Sequence, residues 1–224
     1  MSDLLLNTNS GLFVGSEYLV ATVTSSNGRQ ASTFSVQLNP PRFATRAVPC
    51  LAGWSLSYSD KDHHIRTQQI HIDRPHALLP TTVTGKLLLK DKNGDDAWFG
   101  SIWIKVLYFT SPTQTNFPGY LLCGSEWLTH NSDYTEGQVP ETFSLKMSPP
   151  GNAVLAEALL TGWSLAYSSG DHHIQTQLVR VDDLPPLAPF THVKGALLLR
   201  DKNGDDSWSG HVSIQTLYFA PYWS

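Results

Sequence analysis

The residues best suited to chemistry in this 224-residue chain lie in two copies of Asp-His-His-Ile, at residues 62–65 and 171–174. A neutral imidazole both donates and accepts hydrogen bonds and titrates near physiological pH, while a carboxylate accepts. The pattern therefore predicts one of two things. Either a polar ligand site is present twice, or the fold needs the same polar turn twice.

A second motif, Asp-Lys-Asn-Gly-Asp-Asp, accompanies each copy, at residues 91–96 and 201–206, with a tryptophan two residues later. Carboxylates and imidazoles pair with hydroxyl groups, and an indole ring offers a flat apolar face, so together they suit a sugar. The predicted ligand-binding residues are Asp62, His63, His64, Asp95, Asp96 and Trp98, with Asp171, His172, His173, Asp205, Asp206 and Trp208.

The same acids raise the alternative of a metal site. Calcium prefers oxygen ligands, which gives the candidates Asp91, Asn93, Asp95, Asp201, Asn203 and Asp205. The segment departs from a calcium-binding helix-loop-helix, because glycine falls at loop position four and no glutamate stands at position twelve. A three-ligand transition-metal site built with His71 is disfavoured, because Arg180 occupies the matching position. No cofactor is expected, with calcium as the alternative.

An internal repeat spans most of the chain. Gly53-Trp54 returns as Gly162-Trp163, an offset of 109 residues (53 to 162), and after one inserted residue the offset becomes 110 (91 to 201). A period this long is the size of a whole domain. We therefore predict two similar domains, residues 1–111 and 119–224, joined by a linker at about 111–119.

Alternating apolar and polar residues predict β-strands. Trp54, Leu56 and Tyr58 alternate with serines, which is the period of a half-buried strand. Asn93-Gly94 predicts a type I′ hairpin between two further strands, and no helix of ten or more residues is evident. The predicted fold class is all-β, a tandem repeat of two similar antiparallel β-sandwich domains.

Composition narrows the choice of partners. The formal net charge of −4 disfavours nucleic acid, and no apolar run is long enough for a membrane-spanning helix. The first residues lack the features of a signal peptide, so we expect a cytoplasmic or non-classically secreted protein. Cys50 and Cys123 occupy unmatched positions and are expected to be buried free thiols.

Each half of the chain resembles H-type lectin domains and their bacterial relatives. The resemblance rests on Phe34 to Pro41, Gly53-Trp54, the segment 62–64, and Trp98 with the strand to Phe109. It implies a small antiparallel sandwich that binds carbohydrate and assembles into oligomers. The chain departs from that pattern by its tandem arrangement and by its regular Asp-Lys-Asn-Gly-Asp-Asp segment.

Three functions follow as alternatives. The first is non-catalytic carbohydrate binding at two similar sites, with a glycan or glycoprotein as partner and a homo-oligomer as the assembly; duplication would raise avidity. The second is a structural or toxin-like interaction module in which both motifs are scaffold. The third is an enzyme whose histidine and aspartate perform acid–base work.

Overall fold

Twelve strands, and no helix, make up the part of the chain that the structure describes. The computed structural model describes residues 11–59, 63–111, 119–134, 138–167, 173–185 and 189–222. In chain order the strands are β1 (Leu12–Ser25), β2 (Ser32–Gln37), β3 (Arg46–Tyr58), β4 (Thr67–Ile72), β5 (Thr82–Lys90), β6 (Trp98–Thr110), β7 (Tyr120–Tyr134), β8 (Glu141–Lys146), β9 (Leu155–Tyr167), β10 (Thr176–Val181), β11 (His192–Arg200) and β12 (Trp208–Pro221). The all-β prediction is confirmed. No helix long and apolar enough to cross a membrane occurs among the described residues.

The strands form two antiparallel sheets. One has nine strands in the order β8-β11-β10-β3-β6-β1-β7-β12-β9, and the other has three in the order β2-β5-β4. The two halves of the chain use the same local order, since β3-β6-β1 matches β9-β12-β7 and β2-β5-β4 matches β8-β11-β10. The antiparallel arrangement agrees with the prediction, whereas the division into two tandem domains stays a prediction.

Two links between the halves explain why nine strands lie in a single sheet. Residues 176–180 of β10 pair with residues 53–57 of β3, so the second half extends a sheet of the first half. A second link joins β1 to β7 through Phe13 and Tyr120. Both links leave β4 and β9 at the ends of their sheets.

Alternation along the strands builds the core. Trp54, Leu56 and Tyr58 on β3 are buried, as the sequence pattern predicts. Their cluster continues into the second half through residues such as Val179. A smaller cluster also joins the halves, and in it the rings of Phe13 and Phe219 stack with centroids 4.2 Å apart. Apolar burial therefore holds the two halves together at two places.

The predicted hairpin at Asn93-Gly94 is wrong. β5 pairs with β2 and β4, while β6 pairs with β1 and β3, so the segment between them crosses from one sheet to the other. A type I′ turn also needs positive φ at both central residues, but only Gly94 has it, at 68°. The Gly94 N–H donates to Asp91 Oδ1 at 2.6 Å, so a side chain closes this turn.

Candidate functional site

His63 lies where the two halves of the chain meet. Its backbone forms an isolated antiparallel bridge with Ile174, through N–H···O distances of 3.2 and 2.9 Å. The imidazole packs against Tyr58, with ring centroids 4.5 Å apart, and its Nδ1 lies 3.1 Å from Asp96 Oδ2. The backbone and Nδ1 of His63 are thus both engaged within the protein, whereas its buried Nε2 has no hydrogen-bond partner among the described residues.

The second histidine of each motif meets its counterpart. The rings of His64 and His173 lie edge to face with centroids 3.9 Å apart. The Tyr167 hydroxyl donates to the His173 carbonyl oxygen at 3.3 Å. The two histidine motifs therefore touch each other across the junction of the halves, instead of forming two separate sites. The predicted site residues Asp62, Asp171 and His172 lie outside the described residues.

The acids of the first crossing segment divide into buried and exposed. Asp91 is buried, Asp96 is half-buried beside His63, and Asp95 is exposed. Burial alone would raise the pKa of the Asp91 carboxyl, but backbone N–H groups of Gly94 and Asn93 outweigh it and the pKa is lowered. Burial, together with the charges of Asp91 and Asp95, raises the pKa of Asp96 despite His63.

The second crossing segment repeats this arrangement of acids. The Gly204 N–H donates to Asp201 Oδ1 at 2.6 Å, the same length as in the first half, and Gly204 has a φ of 70°. Asp201 is buried, Asp205 is exposed and Asp206 is half-buried. The first acid of each motif therefore closes a turn, which accounts for its presence in both copies by geometry alone.

The tryptophan that follows each motif is buried. Trp98 is 1% exposed and Trp208 is 0% exposed. Each begins a central strand, β6 or β12, and its ring packs into the main core. The predicted stacking of a sugar on Trp98 or Trp208 therefore has no physical basis in this conformation, because no ring face reaches the solvent.

Two groups of side chains could hold a metal ion. Ligand atoms within 4.8 Å of one another belong to His63, Asp91 and Asp96 in the first half. In the second half they belong to Asp201, Asp205 and Asp206. Of the predicted calcium ligands, Asp91 belongs to the first group and Asp201 and Asp205 belong to the second, whereas Asn93, Asp95 and Asn203 belong to neither. One oxygen of Asp91 and one of Asp201 already accept a backbone N–H; the first group then has two carboxylates and an imidazole, and the second has three carboxylates, the oxygen-rich set that calcium prefers.

A buried ion pair at the junction is the feature that sequence reasoning missed. Lys105 Nζ lies 2.6 Å from Glu157 Oε2 and also contacts Asp183, and the Ser16 hydroxyl donates to Glu157. Burial raises the pKa of Glu157, although Lys105 opposes this. Lysine inside the run Ile104-Lys105-Val106 is the signal in the sequence, because one buried charge in an apolar strand requires a partner.

The two cysteines are free and partly buried. Burial raises the pKa of the Cys50 thiol to about 12 and also raises that of Cys123. A thiol is a poor nucleophile when its pKa is raised, because the thiolate is the reactive form. Burial therefore disfavours the reactive thiolate form of both cysteines.

Two surface concavities lie away from the two histidine motifs. One is lined by the connection between β4 and β5, from Asp73 to Thr84, and another by the connection between β10 and β11. Each concavity lies after β4 or β10 in the chain, whereas the histidine motif lies before that strand. The length of the strand therefore separates the concavity from the motif.

A search against models of known protein families and a search of curated proteins both find no match.

Proposed function

We propose that this protein is a non-catalytic β-sheet interaction module whose histidine and aspartate motifs are scaffold. The observation that carries the proposal is the engagement of His63. Its ring is held between Asp96 and Tyr58, and its backbone pairs with Ile174 of the other half. Groups that are used to bind one another are poorly placed to bind a ligand as well.

The proposal includes the division of the chain into two similar domains. Each half has three long and three shorter strands in the same local order. In each half a crossing segment connects a shorter strand to a long one, and Asp91 or Asp201 closes the turn in that segment. In this proposal the motifs are repeated because each half needs the same turn, and the contact between the two histidine motifs across the junction holds the domains together.

Carbohydrate binding and acid–base catalysis at these motifs have less support. A sugar site would need an exposed aromatic face beside the acids, and Trp98 and Trp208 are buried. An acid–base pair must reach a substrate, and His63 Nδ1 is already engaged by Asp96, with both side chains half-buried. Both functions stay predictions, and the following experiment separates them from the scaffold.

The test replaces His63 by alanine and measures urea unfolding together with binding to a glycan array. We expect the wild type to bind no glycan and His63→Ala to lose about 1–3 kcal/mol, because Asp96 loses its partner and a ring contact disappears. The matched control is His71→Ala, whose exposed imidazole pairs with Asp73 at the surface, and it should unfold like the wild type. A glycan bound by the wild type and lost in His63→Ala at unchanged stability would establish the carbohydrate site instead.

A further inference from the structure

The edge of strand β3 is covered by β10 inside the chain. Their antiparallel register pairs Trp54 with Val179 and Gly53 with Arg180. The Ser57 and Thr176 hydroxyls add a hydrogen bond of 3.0 Å. With β10 in place, Trp54 is only 1% exposed.

Among the residues that the structure describes, the matching edge on β9 has no such cover. β9 is the last strand of the nine-stranded sheet, and it carries the same Gly-Trp-Ser-Leu sequence as β3. Trp163, the match of Trp54, is 38% exposed, and its neighbour Ser164 is exposed too. An uncovered strand edge presents a row of backbone donors and acceptors that a further strand can satisfy.

A glycine on β9 points to that further strand independently. A Cβ on Gly53 would lie 2.5 Å from the Val179 carbonyl oxygen, so the close approach of β10 requires a glycine there. A Cβ on the matching Gly162 would meet nothing closer than 3.6 Å, in the side chain of Ser213. In the described part of the chain no atom lies close enough to require a glycine at 162, whereas a strand that docked on β9 as β10 docks on β3 would require one.

The strand that matches β10 is also uncovered. It is β4, which ends the three-stranded sheet and pairs only with β5. Its six residues, Thr-Gln-Gln-Ile-His-Ile, include no proline, lysine or acid, the residues that commonly protect a sheet edge. In β9 the exposed stretch 162–167 likewise lacks them.

We propose that β4 of one molecule adds to the edge of β9 of a second molecule, in the register that β10 uses on β3. The pairing would place Ile70 opposite Trp163 and Gln69 opposite Ser164. It rests on the proposed function, for which it names the partner as a second copy of this chain. Because β4 and β9 are different surfaces, the contact is heterologous and continues from molecule to molecule until a ring closes or a filament forms.

The test is sedimentation velocity over a range of concentrations with Gly162→Val. The wild type should associate into multiples of its 24.8 kDa mass. A side chain at 162 clashes with the incoming strand but not within the chain, so association should weaken at least about tenfold. The matched control is Ser144→Val, an exposed position on the other edge strand of the sheet, β8, and it should associate like the wild type.

A charge exchange tests the register. Gln69→Lys with Ser164→Lys places like charges opposite each other and should weaken association, whereas Gln69→Lys with Ser164→Glu should preserve it. Circular dichroism and urea midpoints like those of the wild type establish that every variant is folded. A wild type that stays at 24.8 kDa, or association unchanged by Gly162→Val, would overturn the inference. Neither result bears on the scaffold role of His63, which the unfolding experiment tests separately.

Discussion

Strands β3 and β9 contain the same Gly-Trp-Ser-Leu segment in different surroundings. On β3 the segment is covered by β10, and Trp54 is buried; on β9 none of the described strands covers it, and Trp163 is partly exposed. The two tryptophans even touch, with ring centroids 5.9 Å apart. The comparison teaches that the burial of a strand residue depends on the neighbouring strand as much as on the sequence that contains it.

Polar contacts at the junction add a second difference between the halves. Lys105 and Glu157 form a buried ion pair, but their matched positions hold Gln215 and Val48. A buried charge without its partner is costly, so such a pair tolerates few other arrangements. The junction inside the chain therefore contains a specific charge pair, whereas the uncovered edge of β4 and the stretch 162–167 of β9 contain no acid, lysine or arginine.

The largest expected difference between the two strands concerns their tryptophans. Trp54→Ala should lower the free energy of unfolding by about 3–5 kcal/mol, because a fully buried indole leaves a cavity. Trp163→Ala should cost less than half as much, since part of its ring already faces solvent. Urea unfolding at low protein concentration measures both values. Equal losses would show that the two environments are alike.

The two glycines should differ by a smaller amount. Gly53→Ala should cost about 1–3 kcal/mol, because the new methyl group meets the backbone of β10. Gly162→Ala has space within the chain and should change stability by less than about 0.5 kcal/mol. The measurement is again urea unfolding of dilute protein. A destabilised Gly162→Ala monomer would mean that β9 carries a constraint of its own.

The smallest effect is a pH dependence that Glu157 on β9 brings and that the matched Val48 on β3 cannot. Because the folded-state pKa of Glu157 is raised above its ordinary value of 4.5, the stability from its protonated form is present below pH 4.5 and is lost as the pH rises through the raised pKa. The side chain at position 157 cannot ionise in the Glu157→Gln variant. As the pH rises from 4.5 through the raised pKa, the unfolding free energy of the wild type should therefore fall relative to that of Glu157→Gln. Because a single proton is involved, the difference in unfolding free energy between the two proteins can change by at most about 1.4 kcal/mol per pH unit. Parallel profiles from thermal unfolding at several pH values would contradict the prediction.

Local features of the fold were predictable from the sequence. The alternation of Trp54, Leu56 and Tyr58 identified a strand and its apolar side, and all three residues are buried on β3. Such patterns report which side of one strand is apolar. They predict that a strand is present and which of its faces is buried, but they do not predict which strands lie beside it.

Features that depend on distant neighbours were beyond prediction. Asn93-Gly94 signals a hairpin only when the flanking strands are adjacent, and β5 and β6 lie in different sheets. The alternation around Trp98 did not tell whether its ring faces the core or a ligand. The meeting of His64 with His173 requires the pairing of the halves, which no local pattern encodes.

The pairing of β3 with β10 also has a consequence for biosynthesis. Ser57 and its partner Thr176 are separated by 119 residues along the chain. At about 5–20 residues per second, a ribosome needs roughly 6–24 s to make that distance. During this interval the edge of β3, with Trp54 and Leu56, has been synthesised while its covering strand has not. The nascent first half therefore exposes an unpaired strand edge, which can associate with other chains, until the second half is synthesised and covers it.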